Sequence, residues 1–161
     1  MKQKFLVMLL AGALAGFSSK AQNAGDVIID AGDFKAISVA SNMDVVLLAN
    51  SGNPPGLSIS KQAAAELDIT MAGETLKLEP KHWSKKAKVY IRVQYLKKLT
   101  IGESTVVRID GIITTPQLEL FIDAESKVYF KTIGKVNVHS PGDNDVTIQP
   151  VTGNTSVVRA F

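Results

Sequence analysis

Between Leu99 and Gln149 one short apolar pattern occurs three times. In each copy an apolar pair stands at positions i and i+2, a polar or small-residue link follows, and a second apolar pair comes after it. The copies are Leu99/Ile101 with Val107/Ile109, Leu120/Ile122 with Val128/Phe130, and Val136/Val138 with Val146/Ile148. The first two copies are offset by 21 residues at all four apolar positions. A period of two predicts strands with one buried and one exposed face.

A fixed repeat of two strands and a bend is typical of one coil of a β-solenoid, which buries its apolar face only when several coils stack. We therefore predict an all-β, single-stranded right-handed parallel β-helix. An earlier copy, Ile37/Val39 with Val45/Leu47, precedes an irregular segment. That segment has a predicted helix of at most two turns over 61–67 and a predicted hairpin over 69–78, so the N-terminal part is expected to be partly antiparallel. The alternative is an antiparallel sandwich with similar strand spacing.

The first 21 residues have the features of a secretion signal. Lys2 and Lys4 precede an apolar run over 5–17, and Ser19-Lys20-Ala21 is a small-x-small cleavage site. We predict an exported protein of the periplasm, cell surface or extracellular space. Its mature chain, residues 22–161, is expected to be one domain without a transmembrane segment. The chain has no cysteine, so disulfides cannot stabilise it.

The basic charge of the whole chain, formally +3, comes from this N-terminal segment. Lys2, Lys4 and Lys20 lie in the predicted signal, which has no acidic residue, so the other 140 residues contain 15 basic and 15 acidic side chains. A formally neutral chain gives no support for nucleic acid as a partner.

The inventory of reactive side chains argues against an enzyme. The chain has no Cys, no Gly-x-Ser-x-Gly motif and only two histidines, His82 and His139. A Ser-His-Asp site would need one of these as its base, and two isolated histidines do not form a zinc site. We therefore predict no catalytic residue, no metal site and no cofactor, and we expect His139 to be a solvated residue at a strand end.

An enzymatic alternative is a polysaccharide-degrading β-helix that uses stacked turn carboxylates. Its candidates are Glu103, Glu125, Asp143 and Asp145. Aligning the apolar pairs places Ser104 beside Glu125. Aligning the Gly-Glu-Ser and Ala-Glu-Ser links instead stacks Glu103 on Glu125, where the two carboxylates would share a cation or perturb each other's pKa. The sequence does not decide between these registers.

Residues 80–88 hold the densest group of side chains that could bind a ligand, including the only Trp and four lysines. An indole ring can stack on a sugar, and the ammonium groups can attract an anionic glycan or a lipopolysaccharide phosphate. The predicted ligand-binding residues are Lys81, His82, Trp83, Lys85, Lys86 and Lys88. The alternative is a solvated loop whose Trp covers the end of the core.

Several segments match a known family: residues 34–39 with 44–47, 67–78, 89–93, 96–101, and the Gly/Ala-x-Ser links at 102–104 and 124–126. The mature chain resembles the putative auto-transporter adhesin, head GIN domain family of exported Gram-negative proteins. The resemblance implies an exported β-solenoid-like fold and carries over no catalytic residue. We predict a non-enzymatic module that binds a glycan or a cell-envelope component. A further alternative is a structural protein that self-associates through open solenoid ends.

Overall fold

The computed structural model describes residues 26–29, 32–50, 52, 55–82, 86–123, 125–141, 145–150 and 156–160. The predicted signal, residues 1–21, lies outside this part of the chain. The described residues form twelve strands and one short helix: β1 Asp26–Ile29, β2 Ala36–Val39, β3 Met43–Ala49, β4 Gly56–Ser60, α1 Lys61–Glu66, β5 Leu67–Ala72, β6 Thr75–Pro80, β7 Ala87–Val93, β8 Lys98–Ile101, β9 Val106–Ile122, β10 Lys127–His139, β11 Asp145–Pro150 and β12 Ser156–Ala160.

The strands belong to a single sheet of mixed direction. Its main path runs β1-β4-β7-β3-β9-β8-β2-β6-β5, and β10 extends the sheet from β9 to β11 and β12. β3 lies between β7 and β9, and β2 lies between β8 and β6, all in parallel pairs. The β1–β4, β4–β7 and β5–β6 pairs are antiparallel.

The prediction of a single-stranded right-handed parallel β-helix is wrong, because the strands form a mixed parallel and antiparallel half-barrel sheet. Antiparallel pairs occupy both ends of its main path, and β9 continues through 17 residues as one strand. Alternation of apolar residues indicates which face of the sheet a side chain occupies, but it does not indicate whether the neighbouring strand is parallel or antiparallel. The fold class was therefore predicted wrongly. The alternative of self-association through solenoid ends depended on that fold.

The 21-residue offset of the repeat does match the register at three positions. Leu99 pairs with Leu120, Ile101 with Ile122, and Val107 with Val128, each in parallel. The offset fails farther along β10, where Val138 pairs with Leu120 after two register shifts. The pattern therefore identified neighbouring residues locally while the fold class drawn from it was wrong.

The predicted hairpin and short helix are confirmed. β5 and β6 pair antiparallel through a turn that contains Gly73, whose φ of 61° is in the left-handed region. The helix α1 ends at Glu66, one residue before the predicted end. The Ser60 hydroxyl accepts a 3.1 Å hydrogen bond from the Ala63 amide, which satisfies one of the free N–H groups of the first turn.

Two rows of inward-facing apolar side chains cross the sheet and form much of its core. In pairing order, the first row is Leu76, Ile37, Leu99, Leu120 and Val138, and the second is Val89, Val45, Val107 and Val128. Every side chain in both rows is at most 2% exposed. Burying such side chains contributes about 1.5–3 kcal/mol each relative to exposure.

β9 and β10 both bend at a glycine. Gly111 and Gly134 have φ values of 95° and 117°, and the register between the two strands shifts on each side of residues 131–133. A Cβ built on Gly134 would overlap the carbonyl oxygen of Thr115 and lie 3.0 Å from its carbonyl carbon. Position 134 therefore requires a residue without a side chain, because the atom in the way belongs to the backbone.

Candidate functional site

The structure describes four of the six residues predicted to bind a ligand at 81–88, and Trp83 and Lys85 lie outside the described residues. Lys81, His82, Lys86 and Lys88 are all exposed. The Lys81 ammonium lies 3.6 Å from a carboxylate oxygen of Asp68. That of Lys88 lies 5.3 Å from the centroid of the Tyr90 ring, and its hydrogen bond to Tyr90 raises the pKa of Lys88. Ligand binding by this basic segment stays a prediction. Two of its lysines contact other side chains of the protein, Lys81 that of Asp68 and Lys88 that of Tyr90.

Among the described turn carboxylates, Glu103 and Glu125 are not stacked as the enzymatic alternative requires. Val106 pairs with Lys127, so counting back along both strands places Ser104, not Glu103, opposite Glu125. Ser104 and Glu125 share a left-handed backbone, with φ values of 55° and 59°. The register thus follows the apolar pairs, and it separates the two glutamates by one position.

Buried hydroxyl groups behind these turns hold this register. The Ser126 hydroxyl donates to the carbonyl of Gly102 at 2.8 Å and accepts from the Thr105 amide at 3.2 Å. The Thr105 hydroxyl in turn donates to the carbonyl of Ala40 at 3.1 Å. Each hydroxyl therefore bonds a backbone group of a neighbouring turn, and shifting the register by one residue would break these bonds.

The structure does not test the two remaining candidate acids. Asp143 lies outside the described residues, and Asp145 is the first residue of β11. Within the described ranges, no group of three or more His, Cys, Asp and Glu side chains could hold a metal ion.

A polar cluster that sequence reasoning missed lies on the outer face of β9 and β10. Glu119 stands between the buried residues Leu118 and Leu120, so its side chain points away from the core. In the sheet it pairs with Lys98 of β8 on one side and with Asn137 of β10 on the other. Gln117 and His139 stand two positions along on the same face.

Three side chains donate hydrogen bonds to the Glu119 carboxylate. Gln117 Nε2 and Asn137 Nδ2 each lie 2.6 Å from Oε1, and His139 Nε2 lies 2.9 Å from Oε2. Because a carboxylate only accepts, His139 Nε2 is the protonated ring nitrogen in this contact. The donors favour the charged form, with Gln117 first, and lower the pKa of Glu119 from 4.5 to about 2. We call these four side chains the Glu119 network.

An aromatic stack continues the network along the sheet. The rings of Phe121 and His139 lie 4.4 Å apart at an angle of 10°. From the strand on the other side, the Lys98 ammonium lies 4.7 Å from the Phe121 ring centroid. His139 ends β10 as predicted and its side chain is 40% exposed, but its Nε2–H bond and its ring face also hold it against the sheet.

A groove of about 260 Å³ lies next to the Glu119 network, lined by Tyr95, Lys97, Pro116, Gln117 and Glu119. We call it the Tyr95 groove. The Tyr95 side chain is 40% exposed, and the Lys97 ammonium lies 5.9 Å from its ring centroid. The carbonyl of Lys97 accepts a 2.8 Å bond from the Glu119 amide, which anchors the connection between β7 and β8 against β9.

The Glu119 network is suited to binding rather than to proton transfer. A carboxyl group with a pKa of about 2 carries no proton to donate near neutral pH, and its proton affinity is low for a general base. Its hydrogen bonds already hold the carboxylate oxygens in place, so a ligand that binds them does not have to order the side chain.

The low pKa of Glu119 predicts a specific loss of stability in acid. A carboxyl whose folded-state pKa is lowered stabilises the fold above its unfolded-state pKa of about 4.5, and this contribution disappears as the pH falls towards 2. The side chain is 31% exposed, so solvent screening reduces the contribution to about 1 kcal/mol. Urea unfolding at pH 6 and pH 3 measures the loss.

The matched control is Glu119→Gln, which keeps the shape of the side chain but cannot titrate. We expect its unfolding free energy to fall less between pH 6 and pH 3 than that of the parent. Parallel pH curves for the two proteins would show that the Glu119 network does not hold the charged carboxylate.

Within the described residues, no helix combines the length and the apolar character needed to cross a membrane.

Solved structures with a similar fold include two proteins from Parabacteroides distasonis and one from Bacteroides fragilis. A putative adhesin from Parabacteroides distasonis matches with a TM-score of 0.63 and 15% identity, covering 76% of this chain and 55% of its own. A putative lipid binding protein from the same species matches with a TM-score of 0.61 and 21% identity, and the match covers 85% of this chain and 63% of that protein. A putative adhesin from Bacteroides fragilis matches with a TM-score of 0.51 and 12% identity, and the match covers 83% of this chain and 92% of that protein. At these identities the likeness concerns the fold alone.

The chain spans 55% and 63% of the first two of these neighbours. Among curated proteins, none matches the sequence. The family model of the putative auto-transporter adhesin, head GIN domain, matches residues 33–160, so the resemblance seen in the sequence is confirmed and the chain belongs to this family.

Proposed function

We propose that this protein is an exported, non-enzymatic adhesin module that presents the outer face of its sheet to a glycan or another cell-envelope component. Membership in the adhesin family supports an adhesive role and an exported location. The observation that carries the proposal is the Glu119 network, in which three hydrogen bonds fix an ionised carboxylate on the outer face of the sheet. Preorganised polar groups of this kind lower the cost of binding.

The enzymatic alternative has less support. A β-helix enzyme of the predicted type would need two acids converging on one face. The register separates Glu103 from Glu125, and Glu119 is held ionised by hydrogen bonds from Gln117, Asn137 and His139 rather than paired with a second acid. These features favour recognition over hydrolysis.

The basic segment at 81–88 is the proposed contact for anionic ligands. Lys86 is exposed beside Lys88, and the segment is a local excess of positive charge in a chain that is formally neutral after residue 21. Such a field attracts anions at low salt and is screened over about 8 Å at physiological ionic strength. Trp83 would add apolar contact with a sugar ring.

Titrating the protein with sulfated, acidic and neutral polysaccharides tests this proposal. We expect Trp83 fluorescence to change with the sulfated and acidic polysaccharides, and the change to fade as salt is added. Replacing Lys81, Lys85, Lys86 and Lys88 with Ala should abolish it without lowering the melting temperature. The matched control has the same net charge as this variant, because it also replaces four exposed lysines with Ala. These are Lys61, Lys77, Lys131 and Lys135.

Two results would contradict the proposal. If both quadruple variants bind anionic glycans like the parent, the basic segment is only a solvated loop. If the parent binds no member of the panel, anionic or neutral, the protein is not a glycan-binding adhesin.

A further inference from the structure

We propose that the Tyr95 groove binds a single neutral sugar ring, as the terminal residue of a glycan, which rests on the proposed adhesive function. This site is separate from the basic segment, since its lining residues come from the β7–β8 connection and from β9. It also differs in the ligand that its chemistry selects.

The shape of the groove fits one small ring with an apolar face. Its volume of about 260 Å³ lies below the range of about 300–1,000 Å³ that is usual for drug-sized ligands. The exposed Tyr95 ring and the exposed Pro116 ring provide its flat apolar surface. A pyranose presents C–H groups on one face and hydroxyl groups around its rim, so it can cover these rings while its rim reaches polar groups.

The polar groups of the groove match hydroxyl groups, which both donate and accept hydrogen bonds. A carboxylate has about four acceptor positions. In Glu119 two are used at Oε1 and one at Oε2, which leaves one position at Oε2. Gln117 gives one amide N–H to Glu119, so its amide oxygen and its second N–H remain for a ligand. The Lys97 ammonium adds further donors to the lining.

The charges lining the groove give no net attraction to a charged ligand. Glu119 repels an anion that Lys97 attracts, and Lys97 repels a cation that Glu119 attracts, so the two effects offset each other. A neutral polyhydroxylated ring meets neither penalty and can bond both groups. Its binding should therefore depend little on salt, unlike binding at the basic segment.

Titration with neutral sugars tests the site, using the methyl glycosides of glucose, galactose and N-acetylglucosamine as probes in ligand-observed NMR. We expect at least one to bind, with an affinity that changes little between low and high salt. Tyr95→Ala and Gln117→Ala should each weaken binding about tenfold, which corresponds to about 1.4 kcal/mol. Both residues are exposed, so both variants should fold; the melting temperature should hardly change for Tyr95→Ala and should fall slightly for Gln117→Ala, which removes a hydrogen bond to Glu119.

Tyr129→Ala is the matched control. Tyr129 is 38% exposed against 40% for Tyr95, and it lies on β10 outside the groove lining. We expect this variant to bind the sugar like the parent.

The outcomes separate this inference from the proposed function. If anionic glycans bind through the lysines but no neutral sugar binds, the inference is wrong and the adhesin proposal stands. Neutral sugar binding that survives both Tyr95→Ala and Gln117→Ala would place it elsewhere and also overturn the inference. Should no glycan of either kind bind, both ideas fail.

Discussion

Replacing Ile122 with Asp is expected to destabilise the protein by several kcal/mol, whereas Asp123→Ala should change its stability by about 0.5 kcal/mol or less. Ile122 is 1% exposed and pairs with Ile101 at the end of β9, while Asp123 is exposed directly after it. An aspartate at 122 would bury a carboxylate without a partner. Because a domain is stable by only about 5–15 kcal/mol, this loss is a large part of the total. Thermal and urea unfolding followed by circular dichroism measure it.

A graded variant covers the case in which Ile122→Asp is insoluble. Ile122→Val removes one methylene group and should cost about 0.5–1.5 kcal/mol if the side chain is buried. The inward assignment of Ile122 would be lost if its two variants were no less stable than Asp123→Ala.

Gly134→Ala should also destabilise the protein strongly, by about 3 kcal/mol or more. The φ of 117° lies outside the regions open to alanine, and the new Cβ would overlap the backbone carbonyl of Thr115. Neither conflict can be relieved by moving a side chain, so the backbone of β10 at residue 134 must move away from Thr115 of β9. The change in urea midpoint gives the size of the effect.

Gly73→Ala is the control for this substitution. Gly73 also has a positive φ of 61°, but a Cβ there meets nothing within 4 Å. The cost should be only that of the left-handed conformation, about 1–2 kcal/mol. Equal midpoints for the two alanine variants would show that the contact between Gly134 and Thr115 does not constrain the fold.

The sequence predicted which residues face the core more reliably than how the strands are arranged. Alternation assigned Leu99, Leu120 and Val138 to the buried face, and all three are buried. It also located the β5–β6 hairpin, because the Gly73 turn separates two apolar i, i+2 pairs. Strand direction depends on contacts between segments far apart in sequence, which a periodic pattern does not encode.

The Glu119 network escaped sequence reasoning for a related reason. Gln117, Glu119, Asn137 and His139 each look like ordinary exposed residues of alternating strands. Only the register of β9 against β10, with its shift of three residues after Tyr129, brings Asn137 opposite Glu119. The shift arises in two steps, two residues between Tyr129 and Lys131 and one residue between Ile133 and Lys135, and no local signal in the sequence gives its size. The available clue was the recurrence of paired polar residues at i and i+2 on both strands.

The central position of β2 and β3 has a consequence for how the chain acquires its structure during synthesis. Both strands leave the ribosome early, yet each lies between partners encoded later: β6 and β8 for β2, and β7 and β9 for β3. β2 cannot complete its hydrogen bonds until β8 has emerged, and β3 cannot complete its own until β9 has emerged. The N-terminal half therefore cannot form the finished sheet by itself, because each of its two central strands keeps at least one unpaired edge until its later partner arrives.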